Sequence, residues 1–256
     1  MFGWFRPTCP CDPAAKAWVE ERLQWLVEEF DDTCFSGRTV ILPTPEFFPD
    51  PYDGSKKAVR TLLDRVCEYI GVVPDLVAMK LVADAGKIWL VNEAGQYLPG
   101  AAGTYAEGER KFVVRIDKSG LDDPMGLVGT MAHELAHVRL LGEGRIMREV
   151  YDNELLTDLT AVAFGLGVFL ANTPRNWDSQ LRKWPDSDLN RPEYMSPPMF
   201  GYALAHLAWF WDEPKPEWAR HLNGTTRGEF KQGLRFLQET EDSAFKPRRL
   251  RAKGGS

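Results

Sequence analysis

The alternation of apolar and polar positions divides the chain into a helical opening, a run of strand-like segments and a largely apolar helical second half. In "DPAAKAWVEERLQWLVEEF", Trp18, Leu23, Leu26, Val27 and Phe30 recur on one helical face, and Asp12 followed by Pro13 is a good start signal. "RTVIL" reads as a short strand, followed by an irregular proline-rich stretch. Val59, Leu62, Leu63, Val66, Tyr69 and Ile70 repeat with helical period over residues 55–70, and Gly71 stops them. Three segments rich in Val, Ile and Trp then predict strands: "LVAMKLVAD", "KIWLVNE" and "RKFVVRID". "GTYAEGERKFVVRI" has the form of a hairpin with Glu107 to Glu109 at its turn. In "DDPMGLVGTMAHELAHVRLLG", Asp123 suits an N-cap, Pro124 the first helical position and Gly142 the end.

"NELLTDLTAVAFGLGVFLAN" is nearly all apolar and long enough to raise the question of a membrane span. Glu154, Asp158 and two threonines in its first turns, with Gly165 and Gly167 allowing close packing, favour a buried central helix instead. "MFGYALAHLAWFW" predicts a second buried helix and "RGEFKQGLRFLQET" an amphipathic one, ahead of a basic, disordered tail, "KPRRLRAKGGS". Together these elements predict one α+β domain over residues 1–256, with a small, mostly antiparallel sheet and a helical C-terminal lobe. Its parts are an N-terminal region to about residue 100, a central core over 101–172, the lobe over 173–245 and the tail over 246–256.

Composition narrows the picture modestly. The chain is 44% hydrophobic and 27% charged, as a soluble globular protein is, and its net charge of -6 gives no general attraction to nucleic acid or anionic membranes. Arg6 and two prolines stand where a secretory signal would need an apolar run, so a reducing, cytoplasmic setting is expected. Cys9, Cys11, Cys34 and Cys67 are then free thiols, and their irregular spacing does not suit a structural zinc site. Nothing in the sequence sets an oligomeric state.

The chemistry concentrates in "MAHELAHVRLLGEG". On a helix, positions i and i+4 lie one above the other, so His133 and His137 can aim ring nitrogens at one point. Glu134 borders that face and can reach a metal-held water without being a ligand. A catalytic zinc takes three protein ligands. A metzincin would have glycine and histidine where Leu140 and Glu143 stand, so that pattern fails. Glu154, seventeen residues past His137, is the candidate third ligand, with Glu143 and Glu149 as rivals. Asp158 is one turn beyond Glu154, where it can accept a hydrogen bond from the far nitrogen of a ligand histidine. Tyr202 and His206, at i and i+4 in "GYALAH", are candidates to stabilise a developing oxyanion, although a packed tyrosine and a satisfied core histidine explain the pair equally well.

H-E-x-x-H followed by N-E-x-x-T-D resembles the gluzincin metallopeptidases, the clan that includes thermolysin, over about residues 104–172. The resemblance implies a zincin-like fold, a Zn2+ cofactor and a peptide or protein substrate. It implies His133, His137 and Glu154 as ligands, Glu134 as the base, Asp158 behind the metal, and Asn153 and Thr157 in support. It also implies that the chain near residues 103–106 is a sheet edge that holds the substrate backbone. A non-peptidase zinc hydrolase, or a binding protein with a retained metal site, are the other classes compatible with these residues.

Overall fold

The computed structural model of the chain describes residues 6–30, 34–35, 39–83, 112–173 and 182–246. Helix α1, Pro13–Glu29, starts where Asp12 accepts hydrogen bonds from the Ala14 and Ala15 amides, both at 2.9 Å, and it buries Trp18, Val19, Leu23, Leu26 and Val27. Helix α2, Lys56–Ile70, is capped by Ser55 and ends at Gly71, which adopts a left-handed φ of 76°. The Gly71 carbonyl accepts a 2.6 Å hydrogen bond from Arg139, tying this end of α2 to the chain beyond the His133 helix.

Strands β1, Val77–Val82, and β2, Phe112–Asp117, pair in parallel, with Val77 opposite Phe112 and Val82 opposite Asp117. The expectation of a mostly antiparallel sheet is therefore corrected for the described residues: their six-residue pair is parallel, and the antiparallel pair, β3 Arg182–Lys183 with β4 Asn190–Arg191, is two residues long. Apolar alternation predicts strands but carries no direction. A parallel pair needs a long connection, and residues 83–111 separate these two strands along the chain. "RTVIL" is corrected too. Val40 to Leu42 form no strand, and the Ile41 amide bonds instead to the Gly165 carbonyl at 2.9 Å. The strand "KIWLVNE", the hairpin turn, the substrate edge near 103–106 and nearly all of the tail lie outside the described residues.

Helix α3, Pro124–His137, is held at its start by Asp123 and buries Val128, Met131, Ala132, Leu135 and Ala136. It runs straight into one π-helical stretch, Val138–Gly142. Helix α4, Asn153–Ala161, is followed by a second π-helical stretch, Val162–Leu166, and then by α5, Gly167–Asn172. Gly165 kinks this rod at φ 90°, and a Cβ there would stand 2.4 Å from the Thr39 carbonyl oxygen, so only glycine fits. The whole rod passes for a membrane span by length and hydropathy, but 94% of that window is buried inside the protein, as expected for a central helix. Helices α6, Pro197–Phe210, and α7, Gly224–Thr240, pack against each other beside it. The result is a mixed helix-and-sheet domain in which α3 and α4, packed side by side, lie within one core.

Candidate metal centre

Two helices with different demands meet at the site. Helix α3 is apolar around most of its circumference, so its two histidines enter the interior with it: His133 is 6% exposed and His137 8%. Helix α4 brings Glu154 in its first turn and Asp158 in its second. Glu154 Oε2 stands 3.1 Å from His133 Nε2 and 3.5 Å from His137 Nε2, and one ligand atom from each of the three residues lies within 4.8 Å of the others. His133, His137 and Glu154 thus form a possible metal-binding triad, the only such group among the described residues. The rivals of Glu154 are elsewhere: Glu143 pairs with Arg139 at 2.9 Å and Arg145 at 2.7 Å, and Glu149 is exposed.

What lies behind the rings decides their tautomers. His133 Nδ1 is 2.8 Å from Asp158 Oδ1, a carboxylate with no exposed surface. His137 Nδ1 is 3.1 Å from Thr157 Oγ1, and that hydroxyl donates its own proton to the Asn153 carbonyl at 2.8 Å. Thr157 must therefore accept from His137, so both imidazoles carry a proton on Nδ1. In the neutral form of each ring, Nε2 is a lone pair pointing at the Glu154 carboxylate. Three electron-rich atoms then converge where the Glu154 side chain is 27% exposed and the rings are buried, which favours positive charge there, from a bound cation or from protonation of the rings. Burial pushes the Glu154 carboxyl up, yet hydrogen bonds and charge from the two histidines outweigh it and hold the group well below the ordinary carboxylate range. Nearby, Asn153 Oδ1 is buried without a hydrogen-bond partner.

Glu134 is 4% exposed on the same helix, next to His133. Tyr202 and His206 are not brought to this centre. The Tyr202 hydroxyl donates to Glu20 Oε1 at 2.6 Å, while His206 Nδ1 donates to the Tyr202 carbonyl and its Nε2 lies 3.0 Å from Ser243 Oγ. Burial pushes Tyr202 up, with the Glu20 hydrogen bond adding to it, and drives His206 down to about 4.

No sequence signal marks the segment that does reach the triad. Tyr194 places its ring 5.8 Å from that of His133, and the Met195 amide donates to Asp158 Oδ2 at 3.0 Å. "RPEYMSPP" has no periodicity to mark it, and proline-flanked loops are placed by tertiary contacts alone. No family model matches the chain, nor does any curated protein or solved structure.

Proposed function

We propose that the chain is a zinc-dependent hydrolase that cleaves peptide bonds. The observation that carries this reading is geometric: the Nε2 atoms of two histidines, each backed at Nδ1 by Asp158 or Thr157, meet the Glu154 carboxylate at one point. Tetrahedral ligands about 2.1 Å from a zinc ion stand about 3.4 Å apart. The 3.1 and 3.5 Å separations of Glu154 from the two rings are near that figure, and the three ligand atoms together span no more than 4.8 Å. Two imidazoles with one carboxylate are also a donor set used by catalytic zinc.

His133, His137 and Glu154 would hold the ion, and bound zinc supplies an acidified water and a Lewis acid for the carbonyl. Asp158 and Thr157 fix the ring orientations and raise the basicity of the ligands. Glu134 takes the proton of the attacking water and passes it to the leaving amine, a role its buried position beside His133 suits. Tyr194, and not Tyr202 or His206, is the aromatic side chain next to the triad and so the candidate donor to the developing oxyanion.

The test is Glu134→Gln, assayed by digestion of a broad peptide library and read by mass spectrometry, with zinc measured on the same samples. The variant is expected to keep its zinc and lose about 10²- to 10⁴-fold in hydrolysis. Undiminished cleavage would remove Glu134 from the mechanism, and zinc-loaded wild type that cleaves no peptide would end the peptidase reading.

A further inference from the structure

Between the two segments that flank the triad residues, one ending in Glu154 and one carrying Tyr194, lies a guanidinium that the proposed chemistry leaves unused. Arg191, in β4, is 4% exposed, and its Nε is buried without a hydrogen-bond partner. Among the described residues its one hydrogen bond is a 3.4 Å approach of Nη1 to the Pro192 carbonyl, at the outer limit of such a bond. Among the described residues no carboxylate stands within ion-pair distance of it. The nearest acidic influences are Asp152 and Glu193, and Arg182 opposes them. Asp152 Oδ2 accepts from Trp18 Nε1 at 2.8 Å and from Arg22 at 2.7 Å, and its Oδ1, buried with no hydrogen-bond partner among the described residues, does not come within ion-pair distance of Arg191. A buried guanidinium without a counter-charge is costly, and burial with Arg182 lowers its affinity for its own proton. Such a group is satisfied by an anion from outside.

Position says which anion. The guanidinium lies 5.5 Å over the ring of Tyr151, which is 43% exposed, so the patch has an open side. Tyr151 precedes the ligand Glu154 by three residues, and Arg191 precedes Tyr194, the neighbour of His133, by three. Three residues span at most about 10 Å, the reach of one to three residues of extended peptide. We propose that Arg191 is the receptor for a carboxylate of the peptide bound at the triad. This rests on the reading of that triad as a peptide-hydrolysing centre and names the class of peptide it prefers: one with a carboxylate within a few residues of the scissile bond. A planar, bidentate guanidinium is suited to that recognition. The carboxylate can be the C-terminus or an acidic side chain.

The experiment uses the zinc-loaded full chain carrying Glu134→Gln, so that ligands bind without turnover. Three acetylated probes are titrated calorimetrically: a peptide of uncharged side chains ending in a free carboxylate, the same peptide as its amide, and an amide containing one glutamate. At least one carboxylate probe is expected to bind about 10- to 100-fold tighter than the neutral amide. The stronger of the two identifies the source. Adding Arg191→Gln should abolish the preference and Arg191→Lys should keep part of it, with melting temperature and zinc content confirming that each variant folds. If the glutamine variant does not fold, the wild-type preference and the lysine variant still decide. Equal binding of all three probes, no binding of any, or an acid preference that survives Arg191→Gln would overturn the proposal. Digestion of the same peptides by the chain with Glu134 intact separates the two ideas. Cleavage without acid preference overturns the Arg191 role alone, whereas acid-selective binding without cleavage overturns the peptidase reading alone.

Discussion

Two buried polar clusters, each built on helical histidines, behave in opposite ways. Around His206, every polar atom has found a partner inside the protein. One ring nitrogen donates to a carbonyl of its own helix, the other meets Ser243, and Glu20 takes the Tyr202 hydroxyl, the Ala244 amide at 2.9 Å and Lys16 at 2.9 Å. That network is closed and fastens α1 and the chain after α7 onto α6. Around His133 and His137 the Nδ1 atoms are equally well satisfied, while the Nε2 atoms face one carboxylate, that of Glu154. Burial and the presence of imidazole are common to both clusters. What distinguishes the candidate metal centre is that its electron-rich atoms are turned toward one another, where the His206 cluster pairs each donor with an acceptor.

The largest effect that would break this contrast is loss of metal. Glu154→Ala should abolish stoichiometric zinc binding, while His206→Gln should leave it intact. Elemental analysis of the two purified variants reads the difference directly, and equal zinc in both would erase the distinction between the clusters.

Next in size is a pH effect confined to the closed cluster. Burial holds His206 at about 4, below the ordinary histidine value of 6.5. Between those values the unfolded chain binds a proton that the folded chain refuses, so the unfolded state gains as the medium is acidified. The contribution of neutral His206 is fully present above pH 6.5, declines as pH falls, and levels off near pH 4. The total is on the order of 3 kcal/mol. Melting metal-free wild type and His206→Gln from pH 7 to pH 4 should show the wild type losing more stability by that amount. Parallel curves would mean that His206 is not held neutral.

Smaller is the effect of weakening what stands behind a ligand. Asp158→Asn keeps an acceptor for His133 but removes the charge, and zinc affinity should fall about 10- to 100-fold in competition with a chelator. Smallest of all, Thr157→Val removes one neutral hydrogen bond to His137 and should cost about 1 kcal/mol of zinc binding, less than tenfold. An Asp158→Asn loss no larger than that of Thr157→Val would show that charge at the rear of the triad is unimportant.

These clusters also mark how far the sequence could be read. Helical spacing carried His133, His137, Glu154 and Asp158 because each pair is separated by whole turns on its own helix, and burial of an apolar helix then forces the two sets inward. The same rule pointed at Tyr202 and His206, and correctly put them on one face, with ring centroids 4.5 Å apart. It could not say what that face meets. The answer, Glu20, is 182 residues away in the chain. Arg191 and Tyr194 were illegible for a related reason: each sits in a short segment without periodicity, positioned by contacts with α4 and with residues such as Tyr151 and His133. Strand direction was hidden as well, since Val77 opposite Phe112 is a fact about a crossover and not about either segment.

The two oxygens of Asp158 face different parts of the molecule, one holding His133 and the other the Met195 amide. A single buried carboxylate therefore makes the posture of the Tyr194 segment and the posture of His133 one thermodynamic variable. Anything that draws that segment away, whether solvent, a partner or a poorly fitting ligand, also slackens His133. By reciprocity, an ion that fixes His133 steadies the segment by the same free energy. Cation affinity thus becomes a gauge of how well the loop is seated.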